Sequence, residues 1–165
     1  MGALMYLRDP AGRLLLIRRS RRPNQGLWCA VGGKLRTPTG ESPYECASRE
    51  LYEEVGLEVD SSSLDLRCIL SEKNYENTGH WLMFVFFVSV TIDSLPSSID
   101  EGDFQFFELE ELEELEMPEL DKRILREYVL PRDAVPFASL RVDGGTANYP
   151  QELLIEESFL RDRNE

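Results

Sequence analysis

One segment, residues 42–57 (SPYECASRELYEEVGL), most constrains the fold because the signals at both of its ends specify a helix. Ser42 and Glu45 have the spacing of a capping box, and Pro43 suits the first helical position. Gly56 suits the left-handed conformation that often follows the last turn of a helix. The sequence therefore predicts a helix whose beginning, end and orientation are all fixed locally.

The predicted helix carries an unusual concentration of charge along one edge. At about 100° per residue, Glu50, Glu53 and Glu54 share that edge, and Arg49 can pair with Glu53 one turn away. The predicted core stripe on the other side comprises Tyr44, Ala47, Leu51 and Val55. Adjacent like charges cost about 0.2–0.5 kcal/mol per pair on an exposed helix. Either this edge is a solvated acidic face, or a hard divalent cation joins the carboxylates.

The charge of the whole chain limits its partners. The net charge is −13 and the pI is about 4.6, which argues against general attraction to nucleic acid or to an anionic membrane. Six of the eighteen basic residues nevertheless lie between Arg8 and Arg22, whereas residues 100–121 hold eleven acids and no Lys or Arg. Such a basic island fits either a small anionic ligand or a solvated strand end.

Length and cysteine content favour one domain of a cytoplasmic protein. A chain of 165 residues suits a single domain over residues 1–165. The three cysteines, Cys29, Cys46 and Cys68, are far apart, which predicts reduced thiols rather than disulfides or a zinc site. The longest apolar run, residues 81–90, is too short to cross a bilayer. The first apolar stretch is interrupted by charge at residues 8 and 9, which argues against a signal peptide.

The alternation of strands and helices predicts an α/β sandwich around a mixed sheet. Predicted strands cover residues 3–9, 13–19, 28–34, 65–72, 80–90, 104–109, 137–142 and 152–157. A second helix is expected over residues 121–130, after a short turn.

The stretch from Gly40 to Leu57 (GESPYECASRELYEEVGL) resembles the signature sequence of the Nudix hydrolases. The resemblance implies a Nudix-type α/β/α sandwich in which Glu50, Glu53, Glu54 and the carbonyl of Gly32 bind Mg²⁺, with Mn²⁺ as an alternative. It also implies that Arg49 orients the carboxylates and that Glu41 supports them. One feature departs from the family pattern, because seven residues rather than five separate Gly33 from Glu41.

Further segments are similar to the MutT-like, 8-oxo-dGTP diphosphatase branch of this family. That similarity implies that Glu101 is a metal ligand or base and that Arg19 and Lys34 bind phosphate. It also implies that Met117 and Glu119, which lie on either side of Pro118, contact the base. Cys29 stands where that branch has an asparagine that hydrogen-bonds the base, and a thiol cannot supply both an acceptor and an amide donor.

The expected activity is Mg²⁺-dependent hydrolysis of a nucleoside diphosphate-linked substrate. The favoured substrate is a purine nucleoside triphosphate, ordinary or oxidised, which would give a monophosphate and pyrophosphate. The expected partner is a small nucleotide, without nucleic acid or membrane, for a monomer or homodimer. Hydrolysis of dinucleoside polyphosphates is an alternative, for which Tyr75 occupies the place of a base-stacking tyrosine. A second alternative is a non-catalytic binding module that uses residues 100–121 to contact a basic partner.

Overall fold

The computed structural model describes residues 1–73, 76 and 79–130, together with the backbone of residues 135–143 and 152–161. Within these residues the strands are β1 (Gly2–Arg8), β2 (Leu14–Arg19), β3 (Trp28–Cys29), β4 (Val31–Lys34), β5 (Leu64–Lys73), β6 (His80–Val88), β7 (Gly102–Phe107), β8 (Val135–Asp143) and β9 (Glu152–Arg161). The helices are α1 (Pro43–Val55) and α2 (Glu119–Ile124), and α2 continues into a π-helical turn, Leu125–Val129.

The strands form a mixed sheet in the order β3-β2-β1-β6-β5-β8-β9, with β4 paired to β1 and β7 paired to β2. The β1/β6 and β5/β8 pairs are parallel, and the other pairs are antiparallel. This arrangement confirms the predicted α/β class and the mixed sheet. Among the described residues, no helix is both long enough and apolar enough to cross a bilayer.

Two hydrophobic cores lie on opposite faces of the sheet, because side chains along a strand alternate between its faces. Ala3 and Met5 of β1 belong to the core under α1, whereas Tyr6 belongs to the core under α2. The helix α1 buries Cys46, Ala47, Leu51 and Val55, and α2 buries Leu120 and Ile124. Each aliphatic side chain buried in this way contributes about 1.5–3 kcal/mol. The helices are therefore held against the sheet.

Three local predictions differ from the structure. The strand predicted over residues 28–34 is divided at Ala30, because β3 pairs with β2 whereas β4 pairs with β1. The second helix begins at Glu119 rather than at residue 121. Tyr44, predicted to lie in the core, is exposed and packs edge-on against Phe86. All three cysteines are free, and all three are also buried.

Candidate active site

The phase of α1 is fixed by its two ends, as the sequence predicts. The Ser42 side chain accepts a hydrogen bond from the Glu45 amide at 3.2 Å, and Glu45 Oε2 accepts one from the Ser42 amide at 2.8 Å. Gly56 has φ 71°, and its amide bonds to carbonyls of the last turn. These bonds determine which side chains of the helix face β4 and the loop after it.

Arg49 is the centre of the charge cluster on α1. Its guanidinium donates to both oxygens of Glu41, from Nε at 2.7 Å and from Nη2 at 3.1 Å. Nη1 donates to Glu50 Oε1 at 2.7 Å and to Glu53 Oε2 at 2.9 Å, and Nη2 also donates to the Lys34 carbonyl at 3.1 Å. A single guanidinium thus orients three carboxylates, which confirms the expected pairing of Arg49 with Glu53.

Two glycines of β4 permit close approaches, one to the helix α1 and one to the neighbouring strand β1. A Cβ on Gly33 would lie 2.2 Å from Glu50 Oε1, so any side chain there would displace that carboxylate. A Cβ on Gly32 would lie 2.1 Å from the carbonyl oxygen of Ala3. The Gly32 amide donates to Glu54 Oε2 at 3.3 Å. Gly33 therefore provides a glycine floor under Glu50, whereas Gly32 keeps β4 close to β1 and donates its amide to Glu54.

The pKa values of these acids show how crowded the cluster is. Burial, together with the negative charges of Glu50 and Glu101, raises the pKa of Glu54 to about 8. Burial also raises the pKa of Glu50, although its bond to Arg49 opposes that shift. The hydrogen bonds of Arg49 instead lower the pKa of Glu41 to about 2. Glu54 thus receives less cationic compensation than Glu41, which bonds directly to Arg49.

The donor set fits a hard divalent cation, since the side chains offer only oxygen atoms and the glycine floor leaves room for them. Among the described residues, no three acidic, histidine or cysteine side chains converge closely enough to hold an ion as they are placed. Glu53 is engaged through both oxygens, with Arg49 on Oε2 and Arg36 on Oε1 at 3.0 Å. A cation that binds Glu53 would therefore approach a carboxylate that already accepts a hydrogen bond on each oxygen.

A cavity of about 920 Å³ adjoins the cluster and is lined by Glu50, Glu53 and Glu101. The cationic residues that line it are Arg19, Arg21, Arg22, Lys34, Arg36 and Arg49. The positive charge of Arg19 lowers the pKa values of both Glu54 and Cys29, so Arg19 lies near both groups. The structure thus brings Glu101, Arg19 and Lys34 to the same cavity as the helix, as the sequence analysis expects.

The remaining wall of the cavity combines apolar side chains with two acids. Trp81 lies here with Lys34 Nζ 5.2 Å from its ring centroid. Burial raises the pKa of Cys29 well above its ordinary value, so the thiol stays neutral. Asp121 from α2 and Glu72 from β5 line the same wall. Burial, together with the negative charge of Glu72, raises the pKa of Asp121 to about 7.

The structure does not bring every expected residue to the cavity. Met117 is buried in the core under α2, and Glu119 is exposed and pairs with Lys122 at 3.1 Å. Asp121 faces the cavity instead, because two residues further along a helix turn the side chain through about 200°. Asp121 and Glu72 were not predicted as site residues. The one signal in the sequence is the position of Asp121, an acid on the apolar face of α2. Tyr75 lies outside the described residues.

Because Asp121 is an acid held in an unfavourable environment, Asp121→Asn is expected to stabilise the protein at high pH. The pKa of Asp121 in the folded state lies above its ordinary value of 3.8, so folding is penalised increasingly as pH rises from about 4 to about 7. We expect Asp121→Asn to raise the free energy of unfolding by about 1–3 kcal/mol at pH 8 and by almost nothing at pH 4. Urea unfolding at the two pH values measures this difference.

Glu119→Gln is the matched control, because Glu119 is an exposed acid on the same helix. Its effect should stay small at both pH values. A loss of stability in Asp121→Asn at pH 8 would show that the carboxylate is compensated in the folded state, contrary to this interpretation.

The NUDIX domain family model matches residues 1–128, and the chain therefore belongs to the Nudix family. An octanoyltransferase of Myxococcus xanthus is 48% identical over 66 residues, and the NAD-capped RNA hydrolase ndx-9 of Caenorhabditis elegans is 43% identical over 65 residues. Each match covers 39% of this chain and 17% of the other protein. The chain thus spans only a small part of the length of these curated relatives.

Among solved structures, the MutT protein from Bacillus halodurans is similar over nearly the whole of both chains. The alignment covers 96% of this chain and 95% of that chain, with a TM-score of 0.69 and 25% sequence identity. This likeness supports the MutT-like assignment that the sequence analysis made from the segment around α1.

Proposed function

We propose that this protein is a divalent-cation-dependent pyrophosphohydrolase that cleaves a nucleoside triphosphate to a monophosphate and pyrophosphate, with Mg²⁺ as the cation. The observation that carries the proposal is the acidic cluster around Arg49, which opens into a cavity lined with cationic side chains. The acids suit a cation, and the cationic residues suit phosphate oxygens. A solvated acidic helix face would need neither the glycine floor nor the cavity.

Glu50, Glu53 and Glu54 would hold the cation, with the Gly32 carbonyl and Glu101 as further oxygen ligands. The cation would supply positive charge against the phosphate oxygens and make water a better nucleophile. Arg49 contributes by fixing the carboxylates, since its bonds to Glu41 leave little freedom for rotation. Glu41 is therefore a positioning residue, which acts through the arginine.

Lys34 and Arg19 would bind the phosphate chain. Both line the cavity, and Arg19 is steadied by a bond from Nε to the Pro23 carbonyl at 2.7 Å. Guanidinium groups bind phosphate oxygens through two parallel hydrogen bonds, which fixes orientation as well as charge. Several cationic side chains at one cavity favour a polyphosphate over a single phosphate group.

We further propose that Asp121 and Glu72 contact the base and that Trp81 packs against its face. A carboxyl with a pKa of about 7 can donate a hydrogen bond when protonated and accept one when ionised. A purine edge that presents both donors and acceptors, as guanine and its 8-oxo derivative do, matches such a pair. In this proposal Asp121 takes the role that the sequence analysis expected of Glu119 at the base edge.

A panel of nucleotides tests the substrate assignment. With Mg²⁺ or Mn²⁺ present, we expect kcat/KM for 8-oxo-dGTP and dGTP to exceed that for diadenosine tetraphosphate by about tenfold or more. Release of pyrophosphate rather than phosphate identifies the bond that is cleaved. Faster turnover of diadenosine tetraphosphate would favour the dinucleoside polyphosphate alternative, and no turnover of any member would favour a binding module.

A further inference from the structure

The loop between Lys34 and Glu41, here called the Arg36 loop, carries the two residues by which the chain exceeds the family spacing. The Arg36 amide donates to Glu41 Oε2 at 2.6 Å. The Arg36 carbonyl accepts from the Thr39 amide at 3.0 Å and from Thr39 Oγ1 at 2.8 Å. A 3-10 turn over Thr37–Thr39 and the left-handed Gly40 complete the loop. The backbone of Arg36 is therefore fixed relative to Glu41.

The Arg36 side chain, by contrast, is lightly held. It is 57% exposed, lines the cavity, and donates from Nη2 to Glu53 Oε1 at 3.0 Å. This bond is the only one recorded for its side chain among the described residues. Exposed ion pairs of this kind contribute little and exchange readily with other partners.

Arg49 is bonded to the other oxygen of the Glu53 carboxylate and is held more firmly than Arg36. Its side chain is only 16% exposed and is bonded to Glu41, Glu50 and the Lys34 carbonyl as well as to Glu53. Glu53 thus has one fixed cationic partner and one exchangeable partner. A cation that approaches Glu53 can displace Arg36 at Oε1 without disturbing the Arg49 network.

We propose that Arg36 is an exchangeable counter-ion, which holds Glu53 Oε1 until a divalent cation and the nucleotide enter and then pairs with a phosphate oxygen of that nucleotide. The inference rests on the proposed function, because it requires both a cation at Glu53 and a phosphate chain in the cavity. It assigns a role to the longer loop, which places a guanidinium over the acidic cluster.

The electrostatics favour this transfer. A divalent cation at Glu53 repels the guanidinium and removes its partner, whereas an incoming polyphosphate offers it several anionic oxygens. Arg36 already lines the cavity with Lys34, so the new partner enters the space that its side chain borders. The fixed backbone limits the exchange to rotations of the side chain.

Replacement of Arg36 by glutamine tests the inference through binding rather than turnover. Electron paramagnetic resonance of free Mn²⁺ measures cation affinity, and calorimetry with Mn²⁺ and the α,β-methylene analogue of dGTP measures nucleotide affinity. We expect Arg36→Gln to bind Mn²⁺ about threefold more tightly, since a competitor for Glu53 is gone, and to bind the analogue about tenfold more weakly. Arg36→Lys should recover part of the nucleotide affinity.

Arg123→Gln is the control, because Arg123 is a comparably exposed arginine of α2 that pairs with Glu127 in the following π-helical turn and does not line the cavity. It should match the parent protein in both measurements. Unchanged affinity for the analogue, or weaker Mn²⁺ binding in Arg36→Gln, would overturn the inference. If the parent hydrolyses no nucleotide while both affinities shift as expected, the proposed function fails and the role of Arg36 in binding stands.

Discussion

Glu53→Gln is expected to lower kcat/KM for the nucleotide substrate by about a hundredfold or more. Glutamine preserves the size of the side chain but removes the charge that a cation requires. Glu53 is 44% exposed on a helix whose ends are capped independently of it. The fold should therefore survive, and the thermal unfolding midpoint should stay close to that of the parent. Steady-state kinetics with saturating Mg²⁺, alongside circular dichroism, measures both effects.

Glu58→Gln provides the matched control, because Glu58 is an exposed acid shortly after the end of α1. It should leave kinetics and stability almost unchanged. Full activity in Glu53→Gln would contradict the role of Glu53 as a ligand and would show that the cation binds elsewhere in the protein.

Arg49→Gln should produce the largest loss of stability among the site variants. Arg49 and its partners Glu41 and Glu50 are largely buried, with 16%, 9% and 12% of their side chains exposed. Removal of the guanidinium leaves several carboxylates without a cationic partner. The free energy of unfolding should therefore fall by about 2–4 kcal/mol at pH 7.5. Urea unfolding measures the loss, and activity should fall with it because Glu50 and Glu53 lose their orientation.

The pH dependence of this loss follows from Glu41. The pKa of Glu41 in the folded parent is lowered to about 2. The bond to Arg49 therefore stabilises the fold above the ordinary pKa of 4.5, and this contribution is lost as the pH falls toward 2. The difference between parent and Arg49→Gln should therefore narrow in acid. Arg123→Gln, which breaks an exposed pair, should cost about 0–0.5 kcal/mol. An equally small effect of Arg49→Gln would show that the network does not stabilise the fold.

The parts of the site that the sequence predicts correctly depend on local spacing. The capping box and Gly56 fix α1, and the helical period then places Arg49 beside Glu53 without reference to the rest of the chain. The glycine pair lies ahead of that segment, before the Arg36 loop. Its physical reason becomes evident only in the structure, where Glu50 packs directly over Gly33.

The wall of the cavity that contains Trp81, Glu72 and Asp121 is harder to predict from the sequence, because its residues come from distant segments of the chain. Glu72 and Asp121 are far apart along the chain and meet through the packing of α2 on the sheet. The position of Glu119 after a proline predicts a contact with the base, but Glu119 lies at the start of α2 with its side chain exposed to solvent. The orientation of a short helix is set by tertiary packing and not by its own pattern.

The most direct test of the central claim is a crystal structure with Mn²⁺ and the α,β-methylene analogue of dGTP, examined by anomalous scattering from manganese. The account predicts an anomalous peak in contact with carboxylate oxygens of Glu50, Glu53 and Glu54, with phosphate oxygens beside it. A map in which manganese binds away from α1, with these three side chains directed into solvent, would contradict it.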